Sequence, residues 1–263
     1  MDIASSTVAA QGTVLHGVDF SGADSGGAAK IRAVTRDLGD PRRPVVSMGR
    51  LDRRALVRAV LASREDGRSH LWRVDAPMSV PSEVLREFGI ADNWMDTARW
   101  MKGLGSPRLW RTEVRGRMRR EPRRACDEAL STPMSPLNLR VFKQTWTFVC
   151  EVLLPLAEAG VAVAPSVPGQ PGERVVIAEG CPSSVLLAMG WPRRGYKGGG
   201  DPPARVRAEI VRHLVAQGMS IPEALSAEAV RDEQGDLLDA LVLALPPFHS
   251  VVPAAAEVEG WVF

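Results

Sequence analysis

With 263 residues, 45% of them hydrophobic and 24% charged, the chain can bury a full core as one large domain or as a domain with a sizeable insertion. The formal net charge of +2 hides an asymmetry, because residues 107–124 (PRLWRTEVRGRMRREPRR) hold eight arginines against two glutamates. The three widely spaced cysteines and scattered histidines exclude a visible zinc site or disulfide framework, and no leader or bilayer-length apolar run is evident, so a cytoplasmic protein without a membrane partner is expected.

Residues 1–12 are small and polar and read as a loose arm. Residues 13–23 (TVLHGVDFSGA) follow, where Val14, Leu15 and Val18 can bury as a strand that runs into Asp19. A carboxylate there is costly unless a cation or hydrogen bonds meet it, although an aspartate at a strand end can also simply open a turn. Gly17, Gly22 and Ala23 keep bulk away and let a metal, a phosphate or another backbone approach. After the Gly26–Gly27 break, residues 30–38 and 44–48 are further β-type runs, which makes a three-stranded meander. Asp52 then caps the helix RRALVRAVLASRE, with Leu56, Val57, Val60 and Leu61 at helical spacing. Residues 69–76 (SHLWRVDA) form a fourth strand ending in Asp75, which should insert parallel to the first and bring Asp75 near Asp19.

From residue 81 to 160 the pattern is helical: SEVLREF stopped by Gly89, DNWMDTARWMK stopped by Gly103, and a long run over 139–159 that Pro155 should kink or end. Trp94, Trp100, Trp110 and Trp146 fall in this block and suit either a core or stacking on bases. The arginine segment suits either a polyanionic partner or a solvated face. Residues 173–179 (ERVVIAE) are a third strand ending in an acid, Glu179. A short helix over 182–189 leads to the loop WPRRGYKGGGDPP, whose basic residues can move over a site, and then to helices over 204–217 and 222–231. In DLLDALVLAL, Asp236 can cap the helix, but Asp239 sits among apolar neighbours and needs another partner. From Pro246 on, a Pro- and Ala-rich tail is expected to wrap the surface.

Acids repeated at buried strand ends repel one another unless cations neutralise them, and Mg²⁺ prefers such oxygens. The stretches GVDFSGA, VDAP, IAEGCP and DLLDALVLAL, in that order, resemble the predicted RNase H-like nucleases of domain-of-unknown-function family 429, over roughly residues 14–245. The resemblance implies an α/β ribonuclease H-like fold, a mixed sheet with its first three strands antiparallel and flanked by helices. It implies one domain over 13–246 with a helical insertion over 81–160, an arm over 1–12 and a tail over 247–263. Carried onto this chain, the catalytic acids are Asp19, Asp75, Glu179 and Asp239, and Asp19, Asp75, Asp236 and Asp239 hold Mg²⁺ or Mn²⁺. Asp75 departs from the pattern, since resolvase-like members have Glu there.

The function expected is metal-dependent hydrolysis of phosphodiester bonds in DNA or RNA, with Arg111, Arg115, Arg119, Arg120, Arg123 and Lys197 contacting the nucleic acid. The alternative is a catalytically inactive nucleic-acid-binding or scaffolding module with the same fold. A third reading, a sugar-kinase or actin-like ATPase suggested by GVDFSGA, needs two such domains, and the length allows about one.

Overall fold

The computed structural model describes residues 13–23, 29–247 and 252–263; the expected arm over 1–12 and the Gly26–Gly27 break lie outside the described residues. Six strands are β1 (Val14–Asp19), β2 (Ile31–Asp37), β3 (Val46–Leu51), β4 (His70–Asp75), β5 (Ala162–Ala164) and β6 (Val175–Glu179). They form one sheet in the order β3-β2-β1-β4-β6-β5. The β1–β2 and β2–β3 pairs are antiparallel, as expected of the meander, and β4, β6 and β5 follow β1 in parallel. Parallel pairing without a shift sets Asp19 directly opposite Asp75. The edge strand β5, Ala-Val-Ala, was not expected; three small residues carry no alternation to betray a strand.

Alternation along the strands divides the core into two layers. Val18, Trp72, Val74, Val175 and Ile177 face the first, where α1 (Arg53–Ala62) packs together with helices of the 81–160 block. Those helices are α2 (Ser82–Phe88), α3 (Trp94–Gly103), α4 (Pro107–Arg117), α6 (Phe142–Phe148) and α7 (Leu154–Glu158), whereas α5 (Ala125–Ala129) packs its Cys126 with Leu15 and Leu71 on the other face. The Asp52 side chain accepts from the Ala55 N–H and caps α1, while Gly89 ends α2 in the left-handed region at φ 62°. Gly103, in contrast, is the last residue inside α3. Between α6 and α7 the chain takes a π-helical stretch, Val149–Leu153, just before Pro155. The proline lacks an N–H and crowds the carbonyl four residues back, and the widened turn relieves both problems.

Trp94, Trp110 and Trp146 are buried in this layer. The indole N–H of Trp94 donates to Met78 O at 2.7 Å and that of Trp146 to Met101 O at 2.9 Å. They are core residues, unable to stack on bases, and Trp100 packs partly buried against Phe88.

The opposite layer contains α8 (Pro182–Ala188), α9 (Asp201–Ala216), α10 (Glu223–Arg231) and α11 (Asp236–Leu243), packed against β2 through Val34. The last helix, α12 (Ala256–Glu259), belongs to the segment expected to wrap the surface. That expectation is corrected. Trp261, Val262 and Phe263 are buried against Leu15 and Leu71, and the Phe263 N–H donates to Glu179 O at 3.0 Å. Glu259 caps two helices from there, its carboxylate accepting from the N–H groups of Ser82 and Ala125, each at 2.7 Å. Among the described residues no helix is long and apolar enough to cross a membrane.

Candidate metal centre

The helix that carries Asp239 lies almost against the backbone of β1, and Gly17 makes this possible. A Cβ at Gly17 would stand 1.9 Å from Ala240 O and 2.7 Å from Ala244 N, so only glycine allows α11 this close. Arg73 of β4 fixes the other end. Buried beneath the helix, it donates to Leu243 O at 3.1 Å, to Leu245 O at 2.6 Å and to Phe263 O, so the carbonyls left open at the C-terminus of α11 are satisfied by a cation. Burial pushes the Arg73 guanidinium down to about 9. At its N-terminus α11 is not capped by Asp236, as expected. Gly235, at φ 76°, is the capping residue, and the Asp232 carboxylate accepts from the Leu237 N–H at 2.8 Å.

Held at both ends, the helix points Asp239 at the ends of β1 and β4. Asp19, Asp75 and Asp239 each offer a carboxylate oxygen, and these oxygens all lie within 4.8 Å of one another. Gln144 of α6 closes the junction from the other layer, its amide donating to Phe20 O at 2.9 Å and to Asp75 O. Gly22 permits that approach, since a Cβ there would meet the Gln144 Cα at 2.4 Å.

The loop before α9 supplies the partners of Asp239. The Tyr196 hydroxyl donates to Asp239 Oδ1 at 2.8 Å, and Lys197 Nζ lies 2.7 Å from Oδ2. The loop is itself anchored by buried Arg207, which donates to Tyr196 O at 2.6 Å, Gly198 O at 2.9 Å and Val230 O at 2.7 Å. Tyr196 and Arg207 were not singled out from the sequence. Their signal was weak, an aromatic in a Gly-rich loop and one arginine among several on a helix.

Burial and then the charges of Asp239 and Asp75 push the Asp19 carboxyl well above the usual range, with Lys197 opposing. Asp75 is pushed up to about 8 by burial and by Asp239. Asp239 is also raised by burial, against the pull of Lys197 and Tyr196. Three carboxyls so placed resist full ionisation until a cation joins them. Their donor set is all carboxylate oxygen, which fits a hard divalent ion such as Mg²⁺ or Mn²⁺.

The other expected acids stand apart. Glu179 lines the same cavity, but its register partner is Val74, so alternation assigns it to the opposite face from Asp19 and Asp75. There Arg124 engages both of its oxygens at 2.7 Å and the Met78 N–H donates to it at 3.0 Å. Arg124 also bridges to Asp127 at 2.9 Å, so this buried trio reads as architecture. Asp236 lies in a neighbouring cavity with Asp19, outside the three-acid cluster.

The arginine segment is broken up rather than aligned. Helix α4 ends at Arg117, so Arg111 and Arg115 are helical while Arg119, Arg120 and Arg123 are not. Arg111 pairs with Glu121 at 3.5 Å and lies over Phe142, Arg120 pairs with Glu83 at 3.1 Å, and Arg123 donates to Asp127 O at 2.8 Å. Of the segment only Arg124, held by Glu179 and Asp127, lines the cavity at the acids, about 630 Å³; the cavity's other basic residues are Arg140, Arg193, Arg194 and Lys197, of which only Lys197 was singled out. Arg123 borders an adjoining basin with Arg193 and Arg194. No family model, no curated protein and no solved structure matches this chain.

Proposed function

We propose that the chain is a ribonuclease H-like, Mg²⁺- or Mn²⁺-dependent nuclease that hydrolyses phosphodiester bonds in nucleic acid. The observation that carries the reading is the convergence of Asp19, Asp75 and Asp239, from two adjacent strand ends and a helix, to within 4.8 Å. The mixed sheet with its first three strands antiparallel agrees with the fold implied by GVDFSGA, VDAP, IAEGCP and DLLDALVLAL.

Asp19, Asp75 and Asp239 would hold the ion, and a bound divalent ion supplies Lewis-acid polarisation of a phosphoryl oxygen and a more acidic water. The protein's own groups prepare the site for it. Lys197 and Tyr196 keep Asp239 oriented, and the charge of Lys197 favours its ionised form. Gln144 ties the Phe20 and Asp75 carbonyls together and so fixes the two strand ends that bear the other acids. Glu179 and Asp236 take no part as ligands in this reading.

The test is a screen of the full chain against labelled single-stranded, duplex and branched DNA and against RNA, with Mg²⁺ or Mn²⁺. Cleavage by wild type and its loss in Asp19→Asn is the expected result. No cleavage of any substrate, together with no rise in melting temperature on adding either ion, refutes it and leaves the binding-module alternative.

A further inference from the structure

Two cavities meet at the acids. One, of about 630 Å³, carries Arg193 and Arg194; the other, of about 600 Å³, carries Lys30 and Arg50. Asp19, Arg140 and Gln144 line both, so the two adjoin at Asp19, with Arg140 at the junction. Arg140, Arg194, Lys30 and Arg50 are exposed, so each cavity opens to solvent at its rim.

The placement of charge, with cations at the rims and acids between them, suits a polyanion on both sides. In the first cavity Glu179 and Asp127 are committed to Arg124 and Asp239 to Lys197, and the two remaining acids, Asp19 and Asp75, are those assigned to the ion, which leaves the Arg193–Arg194 rim without an acid partner among the lining residues. In the second, Asp19 and Asp236 offset part of the charge of Lys30, Arg50, Arg140 and Lys143. A site built for a chain end would close on one side of the reacting bond. Here cationic rims flank the acids on both.

We propose that a nucleic-acid strand runs through the site, from the Arg193–Arg194 rim past Arg140 and the acids to the Lys30–Arg50 rim, so that an internal bond is presented and no free end is required. The chemistry at that bond rests on the hydrolysis reading; the path does not. Residues 108–120 lie off it, since none of them lines either cavity.

The experiment compares a covalently closed single-stranded DNA circle with a linear strand of the same sequence and length. Binding to the full chain is followed by fluorescence anisotropy over a range of salt, with Ca²⁺ as the divalent ion. Circle and linear strand are expected to bind within about twofold of each other. The double variants Arg193→Gln with Arg194→Gln, and Lys30→Gln with Arg50→Gln, should each weaken binding of the circle and lower the salt slope by up to about 1.4, at about 0.7 per single-strand phosphate contact. Arg115→Gln with Arg119→Gln is the control and should change neither. A circle bound tenfold or more weakly than the linear strand, a rim whose variants have no effect, or no binding of either form overturns the path. With Mn²⁺, opening of the circle supports it, and trimming of linear ends beside an intact circle overturns it while hydrolysis survives. Binding through both rims with neither form cut keeps the path and removes hydrolysis.

Discussion

Replacing Gly17 by alanine tests whether the approach of α11 to β1 builds the metal centre. The added Cβ would lie 1.9 Å from Ala240 O, 2.7 Å from Ala244 N and 2.9 Å from Leu243 C, all of them backbone atoms that no rotamer change can move. An ordinary C···O contact is about 3.3 Å or more, so the helix must retreat by about 1.4 Å. Overpacking of this kind costs about 1–3 kcal/mol and occasionally more. Because Arg73 clamps the far end of α11, relaxation is restricted and a loss of about 3 kcal/mol is expected in urea unfolding. A shift of that size also carries Asp239 away from Asp19 and Asp75 by a large part of a 2.0–2.1 Å ligand distance, far beyond the roughly 0.2 Å that a metal site tolerates. The rise in melting temperature caused by Mg²⁺ or Mn²⁺ should therefore nearly vanish. Gly103→Ala, with nothing within 4 Å of its Cβ, is the control and should lose nothing. Wild-type stability and an undiminished metal response in Gly17→Ala would refute the reasoning.

Three further outcomes are expected. Without metal, Asp19→Asn and Asp75→Asn should melt at or above the wild-type temperature, because each replaces a carboxyl whose ionised form burial and its neighbours disfavour by a neutral group of the same shape, and both should respond less to added Mn²⁺; a clear drop in both melting temperatures argues against a shared site. Glu179→Gln should behave in the opposite way and lose about 3–5 kcal/mol in chemical denaturation, since it leaves Arg124 buried without its bidentate partner; a neutral result would show Glu179 to be no structural acid. The third concerns His16, which donates or accepts within a buried chain to Thr35 at 3.0 Å and to His70 at 2.9 Å, with Asp66 beyond at 2.9 Å. Burial, reinforced by His70, lowers His16 from 6.5 to about 3, so the folded state binds fewer protons than the unfolded one. Its contribution is present above pH 6.5 and is lost as pH falls toward 3, at most about 4–5 kcal/mol, and His16→Gln should flatten that part of a stability-versus-pH curve.

Much of the sheet could be read from residues alone because β1, β4 and β6 are short apolar runs, each stopped by an acid. The meander and the insertion of β4 beside β1 followed from element order, and with them the meeting of Asp19 and Asp75. The separation of Glu179 from that pair depends on register, a relation between strands that no single strand encodes. Asp239 stood out as a carboxylate in an apolar helix, but its partners Tyr196 and Lys197 arrive on a loop whose path Arg207 sets. The arginine segment misled because charge density shows nothing of direction. Arg124 turns fully inward, and the rim of the cavity is drawn from Arg140, Arg193 and Arg194 elsewhere in the chain.

The clamp made by Arg73 has a consequence for how the chain folds as it is synthesised. Its acceptors lie 170, 172 and 190 residues further along, so β4 leaves the ribosome long before anything exists to receive the charge it must bury. Until those carbonyls arrive, the central strand carries a guanidinium that resists entering an apolar interior. The helices α3, α4, α6 and α7 form from nearer contacts and can gather first, whereas the caps that Glu259 gives α2 and α5, and closure over the other face, wait for the final segment. A nascent chain stalled before residue 236 should thus be half-assembled, protease-resistant in its helical block and still soft along the strand that supplies Asp75.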